Sequence, residues 1–236
     1  MNGLRLLRSA DADAPRLDAI VLAGGRASRL GGIDKPALVI RGARLVDHAV
    51  DGASAAGADQ VILVGPHRTP TTAPVRLVEV REDPPFGGPV AALEAGLAQV
   101  TAPLVLLLAA DLPYAELAAS TLLASVDELT RVTPAAAAMT DGVVLVDEEG
   151  RDQWLAGVYL VGPLRSAIAR LNGRTANASL RLLVQGLRIH RTKAEGSAVD
   201  IDTYADAESW GAALVHDPAA RPRSAAAPTN HAGSHR

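Results

Sequence analysis

The sequence predicts an α/β protein built on a mostly parallel sheet, and three observations carry that reading. Short aliphatic and β-branched runs at Ala19–Ala23, Val61–Gly65, Val75–Val80, Leu104–Ala110, Gly142–Val146, Leu155–Val161 and Leu187–Arg191 read as strands. Several are apolar at almost every position, as strands covered on both faces are. Between them lie Leu45–Gly57, Pro89–Val100, Glu116–Leu129, Pro163–Leu171, Ala178–Gly186 and Tyr204–Leu214, rich in alanine and leucine with polar residues at helical spacing. Strands alternating with helices call for parallel pairing through helical crossovers. Finally, 236 residues with 48% hydrophobic content can bury one sizeable core and leave a short appendage.

Taken in order, the first 16 residues, beginning MNGLRLLRSADADAP, read as a flexible segment. Acidic breaks stand there where a signal peptide needs an apolar run. The first strand opens the domain, expected over residues 17–214, and leads directly into the glycine-rich stretch LAGGRASRLGGIDKP, Leu22 to Pro36. The strand of Leu104 to Ala110 lies in the longest aliphatic stretch, far short of the roughly 20 residues that cross a bilayer. From His216 the chain loses hydrophobic periodicity and fills with Pro, Ala, Ser, Arg and His, so residues 215–236 read as a disordered tail. Three of the six histidines sit in that tail at irregular spacing without carboxylate partners, the pattern of a solvated segment more than of a metal site.

Composition narrows the function classes. The absence of cysteine excludes disulfides and thiolate metal sites, and a reducing cytoplasm is the expected location. A formal net charge of −3 argues against a nucleic-acid partner, and the short apolar runs against a membrane. Any anionic ligand must meet locally gathered positive charge. Only Lys35 and Lys193 among 23 basic residues are lysine, and one of them falls inside the glycine loop. A compact ammonium there suits a point contact that a planar guanidinium does not.

In an open parallel sheet, ligands bind at the carboxyl ends of the strands, where this loop begins. Its glycines let backbone N–H groups approach an anion closely. Lys35 lies between Asp34 and Pro36, so the Gly-Lys-Ser/Thr ending of a P-loop is missing; Gly24-Gly25-Arg26 breaks the start of a dinucleotide fingerprint. The pattern that remains is Leu-Ala-Gly-Gly, Arg29 four residues on, Gly31-Gly32 and Asp34-Lys35. It resembles the signature loop of the nucleotidyltransferases, and its spacing is most similar to the molybdenum cofactor guanylyltransferases.

Further segments extend the resemblance over residues 17 to 214. EDPPFGGPVAAL, Glu82 to Leu93, is similar to an Asp-containing segment with a Gly-Pro turn into a helix. LLAADLPY, Leu107 to Tyr114, resembles a strand ending in Asp-x-Pro-Tyr, and VDIDTYADAESW, Val199 to Trp210, a late segment that returns polar side chains to a metal. The resemblance implies a single three-layer, Rossmann-like nucleotidyltransferase domain. It implies an enzyme that joins GMP from GTP to molybdopterin with Mg2+ as cofactor, and transient contacts with cofactor-biosynthesis proteins or acceptor molybdoenzymes.

Roles carry over residue by residue. Leu22, Ala23, Gly24 and Gly25 would hold the nucleotide through backbone, and Arg29 and Lys35 would neutralise charge on the departing pyrophosphate. Asp111 emerges where an apolar strand ends and would bind nucleotide and Mg2+, with Asp202 as second metal ligand and Asp200 beside it. Asp83 would contact guanine or ribose. Competing readings stand beside these: a salt bridge for Arg29, a solvated Lys35, helix caps for Asp111 and Asp202, a turn former for Asp83. His48 and His67 read as structural or solvated. Trp154, Arg174, Asn177 and Arg181 are candidates for the acceptor side.

Two departures bear on identity. Val64-Gly65 stands where the family commonly places asparagine, and Asp-Ile-Asp-Thr replaces the Asn-Val-Asn-Thr of some guanylyltransferases. The aspartate form also occurs in the related molybdopterin cytidylyltransferases, whereas Gly24 differs from their Leu-Ala-Ala-Gly. A cytidylyltransferase, another small-acceptor nucleotidyltransferase and a non-catalytic nucleotide-binding adaptor are the alternatives.

Overall fold

A computed structural model describes residue 4 and residues 16–24, 35–66, 74–194 and 213–214. Seven strands form the main sheet: β1 (Leu17–Leu22), β4 (Gln60–Val64), β5 (Arg76–Val80), β6 (Leu104–Ala109), β7 (Gly142–Val146), β8 (Asp152–Leu160) and β9 (Ile189–Lys193). Their spatial order is β5-β4-β1-β6-β8-β7-β9. Every pairing is parallel except the two made by β8, which runs against β6 and β7.

β1 shows why the sheet sits at the centre. All six residues of LDAIVL are buried, with Ala19 and Val21 in one apolar cluster and Ile20 and Leu22 in the other. That alternation follows from successive side chains pointing to opposite faces of a strand. Helices α1 (Leu45–Ala55) and α3 (Ala115–Val132) cover the first face. Helices α2 (Pro89–Leu97), α5 (Val161–Ala169) and α6 (Leu180–Val184) cover the second. The result is the three-layer α/β arrangement the strand–helix alternation predicts, and each fully buried Leu or Ile contributes about 1.5–3 kcal/mol.

Close packing sets some contacts. A Cβ on Gly52 of α1 would stand 2.7 Å from the Glu116 nitrogen and 2.8 Å from the Ala115 carbonyl carbon, so the absence of a side chain lets α1 meet the start of α3. Arg165 of α5 donates to the carbonyls of Leu97 and Val100 at 2.9 and 2.8 Å, satisfying the free end of α2. At the sheet's amino edge, buried Asp18 accepts from the Thr101 and Ala102 amides at 2.6 and 3.1 Å and from the Gln60 side chain at 2.8 Å.

Several expectations need correction. Leu4, read as part of a flexible segment, is fully buried and donates its amide to the Thr140 carbonyl at 3.2 Å. Ala213–Leu214, read as the end of a helix, form β10, paired antiparallel with β2 (Leu38–Ile40). A three-residue strand gains β character from that pairing rather than from its own composition. β2 also pairs with β3 (Ala43–Arg44), and Arg41 and Gly42 form the turn at φ 52° and 84°. Two positive φ values suit a tight hairpin, but Arg-Gly is a weak sequence signal for one. α4 (Pro134–Ala138) likewise extends the α3 region, where Pro134 ends one helix and opens the next. The rest of Tyr204–Leu214, and the tail from residue 215, lie outside the described residues.

Candidate active site

The sheet order creates the site before any side chain is placed. From β1 the chain steps outward to β4 and β5, then returns across β1 to β6, so the strand order reverses between β1 and β6. Strands diverging in that way open a crevice at their carboxyl ends. The strand ends there are in line: Leu22 is level with Val64 and with Ala109, Ala23 donates to the Val64 carbonyl at 2.8 Å, and Ala110 to the Leu22 carbonyl at 3.0 Å.

Leu22, Ala23 and Gly24 therefore stand at the crevice as expected. A Cβ added at Gly24 would meet Gly65 Cα at 3.9 Å, Glu82 Oε1 at 4.0 Å and the Val64 oxygen at 4.0 Å, all ordinary contact distances. Gly65 is tighter. A Cβ there would come within 2.9 Å of the Ala23 carbonyl carbon and 3.1 Å of the Gly24 nitrogen, so only bare backbone fits at this position.

Across the crevice, Lys35 opens a short 3₁₀ turn, Lys35–Ala37, immediately before β2. Its Nζ lies 3.6 Å from Asp111 Oδ2, with side chains only 17% and 28% exposed. Residues 76 positions apart in sequence thus form one partly sheltered charge pair at the end of β6. Asp111 is not the cap of α3: Tyr114 holds that position, with no side-chain cap bond. The β2–β3 turn reinforces this corner. Arg41 lies over the Tyr114 ring, 4.6 Å from guanidinium carbon to centroid, and donates to the Pro113 carbonyl. His48 of α1 holds the Ile40 carbonyl at 2.8 Å, a structural role in keeping with its sequence reading.

The acidic segment differs in detail from expectation. Asp83 is exposed, whereas its neighbour Glu82 is buried, with 8% of its surface exposed. Glu82 Oε1 accepts the Phe86 amide at 2.9 Å, and the Gly87 carbonyl accepts the Asn177 amide at 2.6 Å. The second half of the chain therefore reaches the crevice through Asn177. Trp154 is half-buried near the start of β8; Arg174 donates to the Leu171 carbonyl of its own turn at 3.3 Å, and Arg181 is exposed on α6. Gly25, Arg29, His67, Asp200 and Asp202 lie outside the described residues.

A MobA-like NTP transferase domain model matches residues 19–191. The chain belongs to the MobA-like NTP transferase family. A molybdenum cofactor guanylyltransferase of Ralstonia nicotianae is 36% identical over 102 residues, 42% of this chain and 48% of that relative. The chain spans about half the length of the curated relatives it matches. Among solved structures, Rv0371c of Mycobacterium tuberculosis superposes with a TM-score of 0.57 at 22% identity, covering 84% of this chain and 98% of its own. The molybdopterin-guanine dinucleotide biosynthesis protein A of Archaeoglobus fulgidus gives 0.58 at 15% identity, over 82% and 96%. Both likenesses concern the fold: a mostly parallel sheet of the kind this family shares.

Within this MobA-like domain, Glu82 and Arg41 were the side chains sequence reading passed over. Arg41 sits in a short hairpin whose strands are too brief for a periodic signal. Glu82 adjoins the aspartate that the sequence reading favoured, and it is burial that sets the two apart.

Proposed function

We propose that this chain transfers GMP from GTP to the terminal phosphate of molybdopterin and releases pyrophosphate. The supporting observation is the convergence of the β1 carboxyl end with Lys35 and Asp111, whose charges lie 3.6 Å apart at the point where the strand order reverses. The relatives named molybdenum cofactor guanylyltransferase point to the same substrates.

In this reading the acceptor phosphate oxygen forms a new bond to the α-phosphorus as the bond to the β-phosphate oxygen breaks in line, with the electron pair leaving on pyrophosphate. A phosphate nucleophile is already ionised near neutral pH, so no side chain has to remove a proton. Backbone groups at Leu22–Gly24 orient the nucleotide, and Lys35, with Arg29 from the glycine loop, holds the leaving phosphates. Asp111 fits Mg2+ in the manner of nucleotide enzymes, in which one or two carboxylates share the ion with phosphate oxygens. Asp202 would be the second carboxylate. When bound, the cation offsets charge on the phosphates.

No helix of the described residues is long and apolar enough to cross a membrane. The test is nucleotide choice with molybdopterin and Mg2+ present: GTP consumption should exceed that of CTP, ATP or UTP at least tenfold, read as pyrophosphate release. Gly24→Ala should narrow the GTP-over-CTP ratio while leaving the melting temperature within a degree or two, because the added methyl meets no atom of the other described residues closer than 3.9 Å. A wild-type preference for CTP would move the chain to the cytidylyltransferase reading.

A further inference from the structure

We infer that Glu82, and not the adjacent Asp83, is the side chain that reads the base: its Oε2 accepts a hydrogen bond from the N1–H and N2 amino edge of guanine. The inference rests on the guanylyl reading above and adds the residue that confers it.

Burial and bonding make the case. Glu82 is nine-tenths buried, and Oε1 is engaged by the Phe86 amide at 2.9 Å. Oε2 is also buried, yet it meets no donor among the described residues. A buried carboxylate oxygen without a donor is costly, and native proteins leave few such atoms unless a ligand or water completes them. The carboxylate lies beside the nucleotide-binding strand end, since Oε1 is 4.0 Å from the position a Cβ would take on Gly24. Its side chain is held by the Phe86 amide on Oε1, and the turn that carries Phe86 is tied down by the Asn177 amide on the Gly87 carbonyl, so the acceptor is placed before a nucleotide arrives. Asp83 is exposed.

The chemistry selects guanine. A carboxylate oxygen accepts only, and guanine presents two adjacent donors, N1–H and the N2 amino group. Adenine presents a bare N1 acceptor at the matching position, which the carboxylate repels. A site with its acceptor fixed and buried discriminates strongly, because the wrong base leaves that acceptor unpaired.

The experiment measures equilibrium binding of GTP, ITP, ATP and CTP by calorimetry in wild type, Glu82→Gln and Asp83→Asn, with circular dichroism to confirm folding. Glu82→Gln keeps size and an acceptor for Phe86 but turns an NH2 toward the base. It should weaken GTP at least tenfold and bring GTP, ITP and ATP within a few-fold of one another. Asp83→Asn should cost GTP at least fivefold less. Should Glu82→Gln not fold, Glu82→Asp withdraws the carboxylate by one methylene and is expected to lose the preference for GTP over ITP. If wild type prefers GTP and both Glu82 variants retain that preference, or if Asp83→Asn costs as much as Glu82→Gln, the inference is overturned while the guanylyl reading stands. If wild type binds CTP more tightly than GTP, both fall together.

Discussion

Lys35 supplies one of the chain's two ammonium groups, and its place 3.6 Å from Asp111 turns an unusual residue choice into a testable contact. Lys35→Ala should reduce turnover roughly a hundredfold, the scale of one preorganised electrostatic donor. Lys35→Arg should restore only part of that, because a planar fork cannot place its charge where a compact ammonium did. Asp111→Asn should abolish magnesium-dependent turnover with the melting curve preserved. Steady-state kinetics beside thermal melts checks all three, and full activity in Lys35→Ala would reduce the pair to a surface ion bridge. Lys35 was legible in the sequence as a rare lysine inside a spaced glycine loop, and Asp111 because it follows an apolar run. Glu82 and Arg41 were not, since their meaning lies in a burial and a hairpin turn that only the folded chain creates.

Elements were legible in type and less so in extent. Gly142–Val146 matches the expected strand residue for residue, while β8 starts three residues earlier than its apolar run because a half-buried start reads as polar. β2 and β3 escaped notice because two- and three-residue strands carry no period. The α1–α3 contact offers the test at this scale. Gly52→Ala places a methyl against immobile backbone at Ala115 and Glu116, so α3 must shift. The cost should be about 1–3 kcal/mol, seen as a fall of several degrees in melting temperature. Because α3 follows the Asp111–Tyr114 turn directly, turnover should fall as well; an unchanged melting temperature would mean the helices slide apart freely.

On the scale of the whole molecule, the candidate site lies at the carboxyl edge of the sheet, and an ion pair fastens β7 to β9 at the amino edge. Arg188, just before β9, grips both oxygens of Asp141, just before β7, at 2.9 and 2.6 Å, and these bonds hold the Asp141 carboxyl below its usual range. A depressed carboxyl stabilises the fold above its unfolded value, about 3.9, and the contribution is lost as pH falls through the lower folded value. Asp141→Asn should therefore cost about 1–2 kcal/mol at pH 7, toward the lower end because Arg188 is exposed, and the gap from wild type should close in denaturant titrations as the pH falls through the lowered folded value. A gap that persists in acid would assign the loss to shape rather than charge. The reversed direction of β8 has its own consequence for a chain emerging from the ribosome. Once synthesis passes residue 110, β6 can lie against β1, with Leu104 beside Leu17, but the strand that closes its other side ends at Leu160. Until those residues appear, LVLLLA presents a bare ladder edge of purely aliphatic sequence, the kind of edge that recruits other nascent chains.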